Sequence, residues 1–437
     1  MRSASSQDWE HVLNQATAWL QAYLRIDTSN PPGDVRLAIA FFQQIFNDAG
    51  IESRVFFADE SAGKGNLLAR LRGSGHAKPL LLLNHMDVVP VEAEQWAVPP
   101  FSGEIRDGCV WGRGALDMKA MGMAELAVLL RLKQAGVALN RDLLWLGVCD
   151  EEVGGRLGAK WMVEHHYDQL DPEFVIDEGG GGSQGLLTQD ARIVFAPSVA
   201  EKQPLWLKLI VRGQGGHGSM PEPDSVIEIL HRALGRLLAA KESLEAGEDD
   251  PVVAVMRERL HPMAHNRFTN AISRHTIAIT SVQAGAGHPP QVNVIPSEAS
   301  ALLDCRLLPG ASVPEMLSRM KAVLADGRVA VEVLYEPTEV SLVSRHDTQL
   351  FRTIERVVRE HHPDAVISPQ LLTGGTDSRF FRVKGAIAYG FEPLVLRAEE
   401  LDYIHGHNER IRIEQFHQMI RILYDVVRRV STDSDEP

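Results

Sequence analysis

The chain has 437 residues, of which 44% are hydrophobic and 23% charged, and its formal net charge is −14. This length favours two domains over a single core, and the composition is typical of a soluble globular protein. The negative charge, with no basic patch, argues against nucleic acids and anionic membranes as partners.

The cysteines and the N-terminal stretch bear on the compartment. Cys109, Cys149 and Cys305 lie far apart and form no CxxC pair, which favours a reducing compartment. The first residues, MRSASSQDWEHVLNQ, lack the apolar run of a signal peptide, and the sequence has no stretch of about 18 apolar residues that could cross a membrane. We therefore expect a cytoplasmic protein without a membrane partner.

The first part of the chain reads as helices followed by strands. Helical spacing of apolar residues predicts helices over 9–25 and 35–49, and SRVFFAD and NLLARLRG predict paired strands. The run LLLL, which ends at His85, predicts a strand buried on both faces of a mostly parallel sheet. A long loop rich in Gly, Pro and Trp then ends at Asp117, before a helix predicted over 118–134.

Two further apolar runs deliver acidic residues in the same way. RDLLWLGVCDEEVGG brings Glu151 and Glu152 to the end of a strand, and PEFVIDEGGGG predicts a third strand that ends at Asp177 and Glu178 before a glycine run. Strands that alternate with helices predict βαβ units and a parallel sheet. We therefore expect these side chains at the carboxyl edge of one sheet.

The pattern changes from about Pro204 onwards. Two helices and four strands in about 130 residues predict a separate α+β module, inserted into the α/β domain. The predicted division is a catalytic domain of residues 1–199 and 338–437 and an inserted lid of residues 200–337. The C-terminal part is predicted as a helix, the loop TGGTDSRFF, a short strand GAIAYGF and a last helix, with a disordered acidic tail, STDSDEP.

The polar residues at the predicted strand ends indicate a metal site. Two imidazoles and several carboxylates that converge on one edge would repel one another if no cation were bound. Nitrogen and oxygen ligands without thiolate suit a catalytic Zn²⁺ site, with Co²⁺ or Mn²⁺ as substitutes. The candidates from this reasoning are listed in chain order: His85 with Asp87, Asp117, Glu151 with Glu152, Glu178, and either His405 or His407.

Eight motifs, spread over about 330 residues, together carry a family resemblance that none would carry alone. They are HMDVVP, GRGALDMK, DEEVGG, IDEGG, GQGGHGSMP, DCRLLP, TGGTDSRFF and HGHNER. In this order they resemble the dizinc metallopeptidase family that includes zinc aminoacylase, acetylornithine deacetylase, succinyl-diaminopimelate desuccinylase and glutamate carboxypeptidase. The DEGG and TDSRFF variants are more similar to the aminoacylase and carboxypeptidase side of the family.

The resemblance implies two zinc ions with one shared ligand. His85 and Glu178 would hold one zinc ion, Glu152 and His405 would hold the other, and Asp117 would bridge them.

The resemblance also implies roles for the neighbouring carboxylates. Asp87 would lie behind His85 and fix its tautomer, and Glu151 would be the general base. Two alternatives compete for ligand positions. Asp177 precedes Glu178, but adjacent strand residues point to opposite faces, so only one can face the metal.

The other alternative concerns the last histidine. The family pattern of a histidine, two spacers, Asn or Asp, and then Glu selects His405 over His407, because Asn408 and Glu409 follow at the right distance.

Further family roles concern the substrate. His217, in a glycine-rich turn, resembles the family histidine that stabilises the oxyanion, often in the active site of the partner subunit. Asn270, Arg306, Gly375 and Thr376 resemble residues that hold the substrate carboxylate and the scissile carbonyl.

The expected function is zinc-dependent hydrolysis of the amide bond in N-acyl amino acids or small peptides with a free carboxylate. A homodimer is expected, because the family lid commonly mediates dimerisation. The alternatives are a biosynthetic deacetylase or desuccinylase, or a binding relative without activity, which would have lost a ligand or the base. This sequence has lost neither.

Overall fold

The structure, a computed structural model, describes residues 6–190, 192–221, 223–247, 250–287, 289–336 and 341–432. Its helices are α1 (Ser6–Leu24), α2 (Arg36–Asp48), α3 (Lys119–Gln134), α4 (Ala159–His165), α5 (Val226–Glu245), α6 (Pro251–Arg259), α7 (Arg267–Ile272), α8 (Val313–Leu324), α9 (Gln349–His361), α10 (Ser378–Val383) and α11 (Ile413–Thr432). Its strands are β1 (Glu52–Asp59), β2 (Lys64–Leu71), β3 (Leu80–His85), β4 (Glu104–Arg106), β5 (Cys109–Trp111), β6 (Leu143–Val148), β7 (Phe174–Gln184), β8 (Ile193–Phe195), β9 (Ser198–Glu201), β10 (Gln203–Arg212), β11 (Gly216–His217), β12 (Thr276–Ala284), β13 (Val294–Ile295), β14 (Glu298–Leu307), β15 (Val329–Tyr335), β16 (Val366–Ile367), β17 (Gln370–Leu372), β18 (Ile387–Arg397) and β19 (Arg410–Arg412).

The main sheet has the order β1-β2-β6-β3-β7-β18-β9-β17, with β8 and β16 attached beside β7. Strands β6, β3, β7 and β18 are parallel to one another. Strands β1 and β2 form the predicted antiparallel pair, and β2 is also antiparallel to β6. The expectation of a mostly parallel main sheet in an α/β fold is confirmed. Because β3, β6 and β7 run side by side in one direction, the segments that follow them meet at one edge.

The leucine run of β3 is buried on both faces of the sheet. Leu80 and Leu82 join the core that contains α2, α3 and α11, whereas Leu81 and Leu83 join the core that contains α4 and α10. Alternate residues of a strand point to opposite faces, so a strand covered on both sides has to be apolar throughout. Each fully buried leucine contributes roughly 1.5–3 kcal/mol, which fixes β3 firmly at the centre of the fold.

The predicted helices over 9–25, 35–49 and 118–134 are confirmed as α1, α2 and α3. Two segments that were predicted as irregular contain regular structure. The long loop before Asp117 contains β4 and β5, which form a small antiparallel sheet in which β5 lies between β4 and β19. Helix α10 begins within the segment TGGTDSRFF. Both elements are too short to show a periodic pattern of apolar residues.

The prediction that the third strand ends at Asp177 and Glu178 is wrong. Strand β7 continues through the glycines to Gln184, paired with β18. A Cβ atom on Gly181 would lie 2.3 Å from the carbonyl oxygen of Glu392. The glycines are therefore strand residues that admit a close neighbouring backbone, and they extend the strand beyond the two carboxylates.

A second sheet has the order β12-β14-β10-β15 and packs against α5 and α8, with its own apolar core. Helix α5 begins at a capping box in which Ser225 and Glu228 satisfy backbone N–H groups reciprocally. Helices α6 and α7, which lie within the same stretch of sequence and were not predicted, contribute to the core of the main sheet instead. The division at residues 200 and 337 stays a prediction.

Two remaining observations concern the chain end and the membrane. Ser431 and Thr432 belong to α11, so the predicted disordered tail is wrong at these two residues, and its other residues, 433–437, lie outside the described part of the chain. No helix in the described ranges is both long enough and apolar enough to span a lipid bilayer.

Candidate metal centre

Three neighbouring strands bring the central carboxylates and one histidine to the same edge of the main sheet. His85 is the last residue of β3, Glu151 and Glu152 lie in a short 3-10 turn after β6, and Glu178 lies within β7. In the parallel register His85 lies opposite Val148, at the end of β6. The predicted convergence of these side chains therefore follows from the strand order.

Asp117 lies between two histidines. Its Oδ1 is 3.0 Å from Nε2 of His85, and its Oδ2 is 2.9 Å from Nε2 of His405. Each oxygen of this one carboxylate therefore faces a different imidazole. This is the arrangement that a carboxylate bridging two metal ions requires.

Each histidine also faces a second carboxylate. Nε2 of His85 is 3.6 Å from Oε2 of Glu178, and Nε2 of His405 is 3.2 Å from Oε2 of Glu152. The side chains thus form two groups that share Asp117. One holds His85 and Glu178, and the other holds His405 and Glu152.

The electrostatics of the cluster favour bound cations. Burial, together with the nearby Asp117, raises the pKa of Glu178 to about 8. Burial and then the charge of Glu178 raise the pKa of Glu151 well above its usual value. Hydrogen bonds to Asp117 and then to Glu152 raise the pKa of His405 to about 10. Such shifts show carboxylates crowded together in a buried site, a crowding that divalent cations would relieve.

The donor set also fits metal ions geometrically. Potential ligand atoms of His85, Asp117 and Glu152 lie within 4.8 Å of one another, as do those of His85, Glu151 and Glu178. These donors are nitrogen and oxygen atoms, without thiolate, as in catalytic zinc sites.

The carboxylate of Asp87 has a different position from the one expected. Nδ1 of His85 is 2.9 Å from the backbone oxygen of Asp87 and 3.7 Å from its carboxylate Oδ1, so the backbone is the closer partner. The carboxylate instead accepts hydrogen bonds from the backbone N–H groups of Glu151 and Glu152. Asp87 therefore holds both the imidazole and the acidic turn.

Two residues that sequence reasoning missed, Asn30 and Lys64, support the same turn. Asn30 donates to the carboxylate of Asp87 at 2.8 Å, and the buried Lys64 ammonium lies 2.9 Å from Oδ1 of Asp150. Asp150, at a φ of 76°, begins the turn that carries Glu151. Asn30 and Lys64 come from distant segments, so the sequence offers no spacing that would reveal them.

A buried ion pair joins the loop of Asp117 to the loop of His405. The carboxylate of Glu409 accepts hydrogen bonds from Arg113 at 2.7 Å and from the backbone N–H of Asp117 at 3.0 Å. Arg113 also donates to the backbone oxygen of His405 at 3.2 Å. Both members of the pair lie inside motifs that the sequence showed, but only the structure shows their contact.

The structure distinguishes the members of the two pairs of alternative ligands, Asp177 or Glu178 and His405 or His407, by their contacts. Asp177 accepts hydrogen bonds from the backbone N–H and the hydroxyl of Ser378, on the side of the strand away from His85. Its neighbour Glu178 faces His85, as strand alternation predicts. His405 contacts Asp117, whereas no hydrogen bond or ion pair within the described residues joins His407 to the cluster.

The expected substrate residues are not gathered at the cluster. His217 is exposed on β11, and its Nδ1 bonds to Ser219, while Arg306 on β14 pairs with Asp304. Asn270 is exposed on α7. Within the described ranges, no hydrogen bond or ion pair links these three side chains to the histidine and carboxylate cluster.

The last two expected substrate residues are at the start of α10. The hydroxyl of Thr376 is buried and donates to Glu201 at 2.7 Å. Gly375 lies beside Arg379, because a Cβ atom on this glycine would be 2.6 Å from the Arg379 guanidinium. Thr376 thus holds the loop to the main sheet in the structure.

The sequence pattern of peptidase family M20/M25/M40 matches residues 81–429, a range that includes every member of the cluster. The chain belongs to this family. M20 membership, together with the geometry above, makes it a hydrolytic enzyme with a candidate dinuclear metal site.

Individual relatives agree with this assignment. The chain is 32% identical over 425 residues to N-fatty-acyl-amino acid synthase/hydrolase of Xenopus tropicalis, a match that covers 91% of this chain and 80% of that protein. It is 28% identical over 395 residues to aminoacylase-1B of Rattus norvegicus, covering 89% and 88% of the two chains. Its fold is similar to that of an M20 family metallo-carboxypeptidase from Sulfolobus solfataricus, with a TM-score of 0.72, 18% identity and coverage of 95% and 98%.

Proposed function

We propose that this chain is a dizinc hydrolase that cleaves the amide bond of N-acyl amino acids or small peptides with a free carboxylate. The observation that carries the proposal is the position of Asp117, with one oxygen facing His85 and the other facing His405. Family membership supports amide hydrolysis, and the names of the relatives support substrates of the aminoacylase and carboxypeptidase kind.

The proposed ligand sets follow the two groups of the cluster. His85 and Glu178 would hold one zinc ion, Glu152 and His405 would hold the other, and Asp117 would contact both. Zn²⁺ suits this nitrogen and oxygen donor set, with Co²⁺ or Mn²⁺ as substitutes. When bound, such a metal pair supplies a water of lowered pKa and polarises the substrate carbonyl.

Glu151 is the proposed general base and acid. Its carboxylate lies in the same group as His85 and Glu178, yet its backbone is fixed from behind by Asp87. From this position its carboxylate would take a proton from the attacking water and return it to the leaving nitrogen. Asp87 would act indirectly, because it holds the turn and orients the ring of His85.

The second sheet is proposed to act as a lid and a dimer interface. His217 is exposed in this chain, so a second copy could present its own His217 to the cluster and stabilise the oxyanion there. Arg306 and Asn270 would bind the substrate carboxylate after the lid closes, and Gly375 and Thr376 would line the site beside the scissile carbonyl. The separated, unpaired cysteines support a cytoplasmic location.

A panel of substrates tests the proposal. Purified protein would be assayed on N-acetyl amino acids, acetylornithine, succinyl-diaminopimelate and dipeptides, with a chelator and after Zn²⁺ is restored. We expect hydrolysis of N-acetyl amino acids or dipeptides that the chelator abolishes and Zn²⁺ recovers. A dominant rate on acetylornithine or succinyl-diaminopimelate would instead favour the biosynthetic alternative, and no hydrolysis would favour a binding protein.

A further inference from the structure

A pocket of about 200 Å³ adjoins the metal centre and has no role in the chemistry described above. One wall is the glycine segment of β7, which begins at Gly179, directly after Glu178. The lining also includes Ile404, directly before His405. The pocket is therefore lined by the sequence neighbours of Glu178 and His405, which are proposed ligands of the two different metal ions.

The lining of this pocket is mainly apolar. Leucine and phenylalanine side chains from five separate segments surround it, including Leu186, Phe268, Leu372, Leu394, Leu396 and Leu401. Leu372, Leu396 and Leu401 are partly exposed, so the fold leaves apolar surface uncovered beside a polar cluster. A ligand that covered this surface would gain roughly 25 cal/mol for each Å² removed from water.

The glycines of β7 contribute a wall of the pocket that has no side chains. A Cβ atom on Gly179 would lie 2.5 Å from Cδ1 of Leu372, a lining side chain, and one on Gly182 would lie 2.6 Å from the backbone oxygen of Leu394. Any side chain at these positions would collide with the pocket wall. At these positions the wall of the pocket is therefore backbone, packed closely against Leu372 and β18.

The charges of the lining disfavour the carboxylate end of an N-acyl amino acid. None of the residues that line the pocket is basic, and the polar members include the acid Glu392, whose Oε1 has no hydrogen-bond partner among the described residues. A substrate carboxylate would find no counter-charge there. The amino-acid side chain shares its Cα with that carboxylate, whereas the acyl chain lies on the other side of the amide bond.

We infer that this glycine-walled pocket receives the acyl chain of the substrate and selects medium-length, unbranched apolar acyl groups. This inference rests on the proposed function and adds the acyl specificity. An apolar cavity of about 150 Å³ accepts benzene, and a water-sized group takes roughly 30 Å³. A pocket of about 200 Å³ therefore holds roughly six methylene-sized groups, and longer chains extend into solvent.

Two substrate series test this assignment. The first varies the acyl group on glycine from acetyl through butanoyl, hexanoyl and octanoyl to dodecanoyl. The second keeps the acetyl group and varies the amino acid from glycine through alanine and leucine to phenylalanine. We expect kcat/KM in the acyl series to rise by about 2- to 4-fold for each methylene and to level off between hexanoyl and octanoyl.

Filling the pocket should remove this dependence. In Leu396→Trp the ratio of kcat/KM for octanoylglycine to that for acetylglycine should fall at least about 10-fold. Leu372→Phe, at another lining residue, fills the pocket with a smaller change, and it provides a second measurement if the tryptophan variant folds poorly. The matched control is Leu37→Trp, because Leu37 lies on α2 with 70% of its surface exposed, and it should keep the wild-type ratio.

The possible outcomes separate the inference from the proposed function. A flat acyl series, or a chain-length dependence that both filling variants retain, overturns the pocket assignment while hydrolysis itself stands. A dependence that appears only in the amino-acid series and is lost in Leu396→Trp assigns the pocket to the side chain and also overturns it. An enzyme that hydrolyses neither series but cleaves dipeptides overturns the acyl assignment alone, whereas one that hydrolyses none of these substrates overturns the proposed function itself.

Discussion

The buried carboxylate of Glu409 offers a sharp test of how the bridging residue is held. Its Oε1 accepts from the backbone N–H groups of Leu116 at 2.6 Å and Asp117 at 3.0 Å. Its Oε2 accepts from the Arg113 guanidinium at 2.7 Å and from the backbone N–H of Gly114 at 3.0 Å. One carboxylate thus fixes the whole loop that carries Asp117.

The substitution Glu409→Gln removes half of these acceptors. A glutamine keeps one oxygen, so two of the four hydrogen bonds are lost and an amide N–H₂ group faces two donors. Hydrogen bonds to a charged group contribute about 1.5–3 kcal/mol each, which gives a loss of about 3–6 kcal/mol. The cost of leaving a buried arginine such as Arg113 without its partner, about 3–5 kcal/mol, agrees with this range.

The same change should weaken metal binding. Residues that orient metal ligands typically contribute 10–100-fold to affinity, and Glu409 orients Asp117, which both metals would share. Urea unfolding of the chelator-treated protein measures the stability, and competition with a zinc-sensitive dye measures the affinity. The matched control is Glu360→Gln, which breaks a surface pair with Arg429 and should cost only ~0–1 kcal/mol.

The refuting result for Glu409 is definite. If Glu409→Gln unfolds like Glu360→Gln and binds zinc like the wild type, the loop of Asp117 is held by other contacts and the proposed support is wrong. If stability falls but zinc affinity does not, Glu409 supports the fold without orienting the bridge.

The remaining predictions concern histidines and the proposed base. His405→Ala should lose one of two bound metals, as measured by elemental analysis, whereas His407→Ala should keep both; the reverse result would exchange their roles. Glu151→Gln should keep both metals and lower kcat by several orders of magnitude, and near-normal turnover would refute the base assignment. His217→Ala should lower kcat far more than metal content. Burial and then Lys202 lower the pKa of His275 from 6.5 to about 4. The contribution of the neutral imidazole to the unfolding free energy is therefore complete above pH 6.5 and is lost as the pH falls towards 4. The variant His275→Asn can keep the acceptor for the Leu308 N–H. Its unfolding free energy should be lower than that of the wild type at pH 7, and this difference should shrink by at most ~3 kcal/mol as the pH falls to 4.5.

Sequence reasoning predicted the elements in which apolar side chains recur with the period of a helix or a strand. The four leucines of β3 predicted a strand buried on two faces, and the structure places them alternately in two cores. The same period of two separated Glu178 from Asp177, which face opposite sides of β7 in the structure. Where local pattern and tertiary packing agree in this way, a single sequence is informative.

The glycine run of β7 shows where local pattern misleads. Four glycines in a row are typical of a turn, because glycine readily adopts the positive φ angles that tight turns require. Here the backbones of β18 and β7 approach so closely that a side chain would collide, so the strand continues. That requirement comes from a partner strand about 200 residues away, and no window of sequence contains it.

The backbone-supporting role of two carboxylates was missed for a related reason. Asp87 and Glu409 each stand inside a motif, and the sequence interpretation treated the first as a partner of His85 and the second only as spacing. In the structure both accept backbone N–H groups, those of Glu151 and Glu152 for Asp87 and those of Leu116 and Asp117 for Glu409. A cluster of like charges needs such support, because its members repel one another until cations bind. An acidic residue beside a ligand motif can therefore be read as a candidate backbone acceptor as well as a candidate ligand.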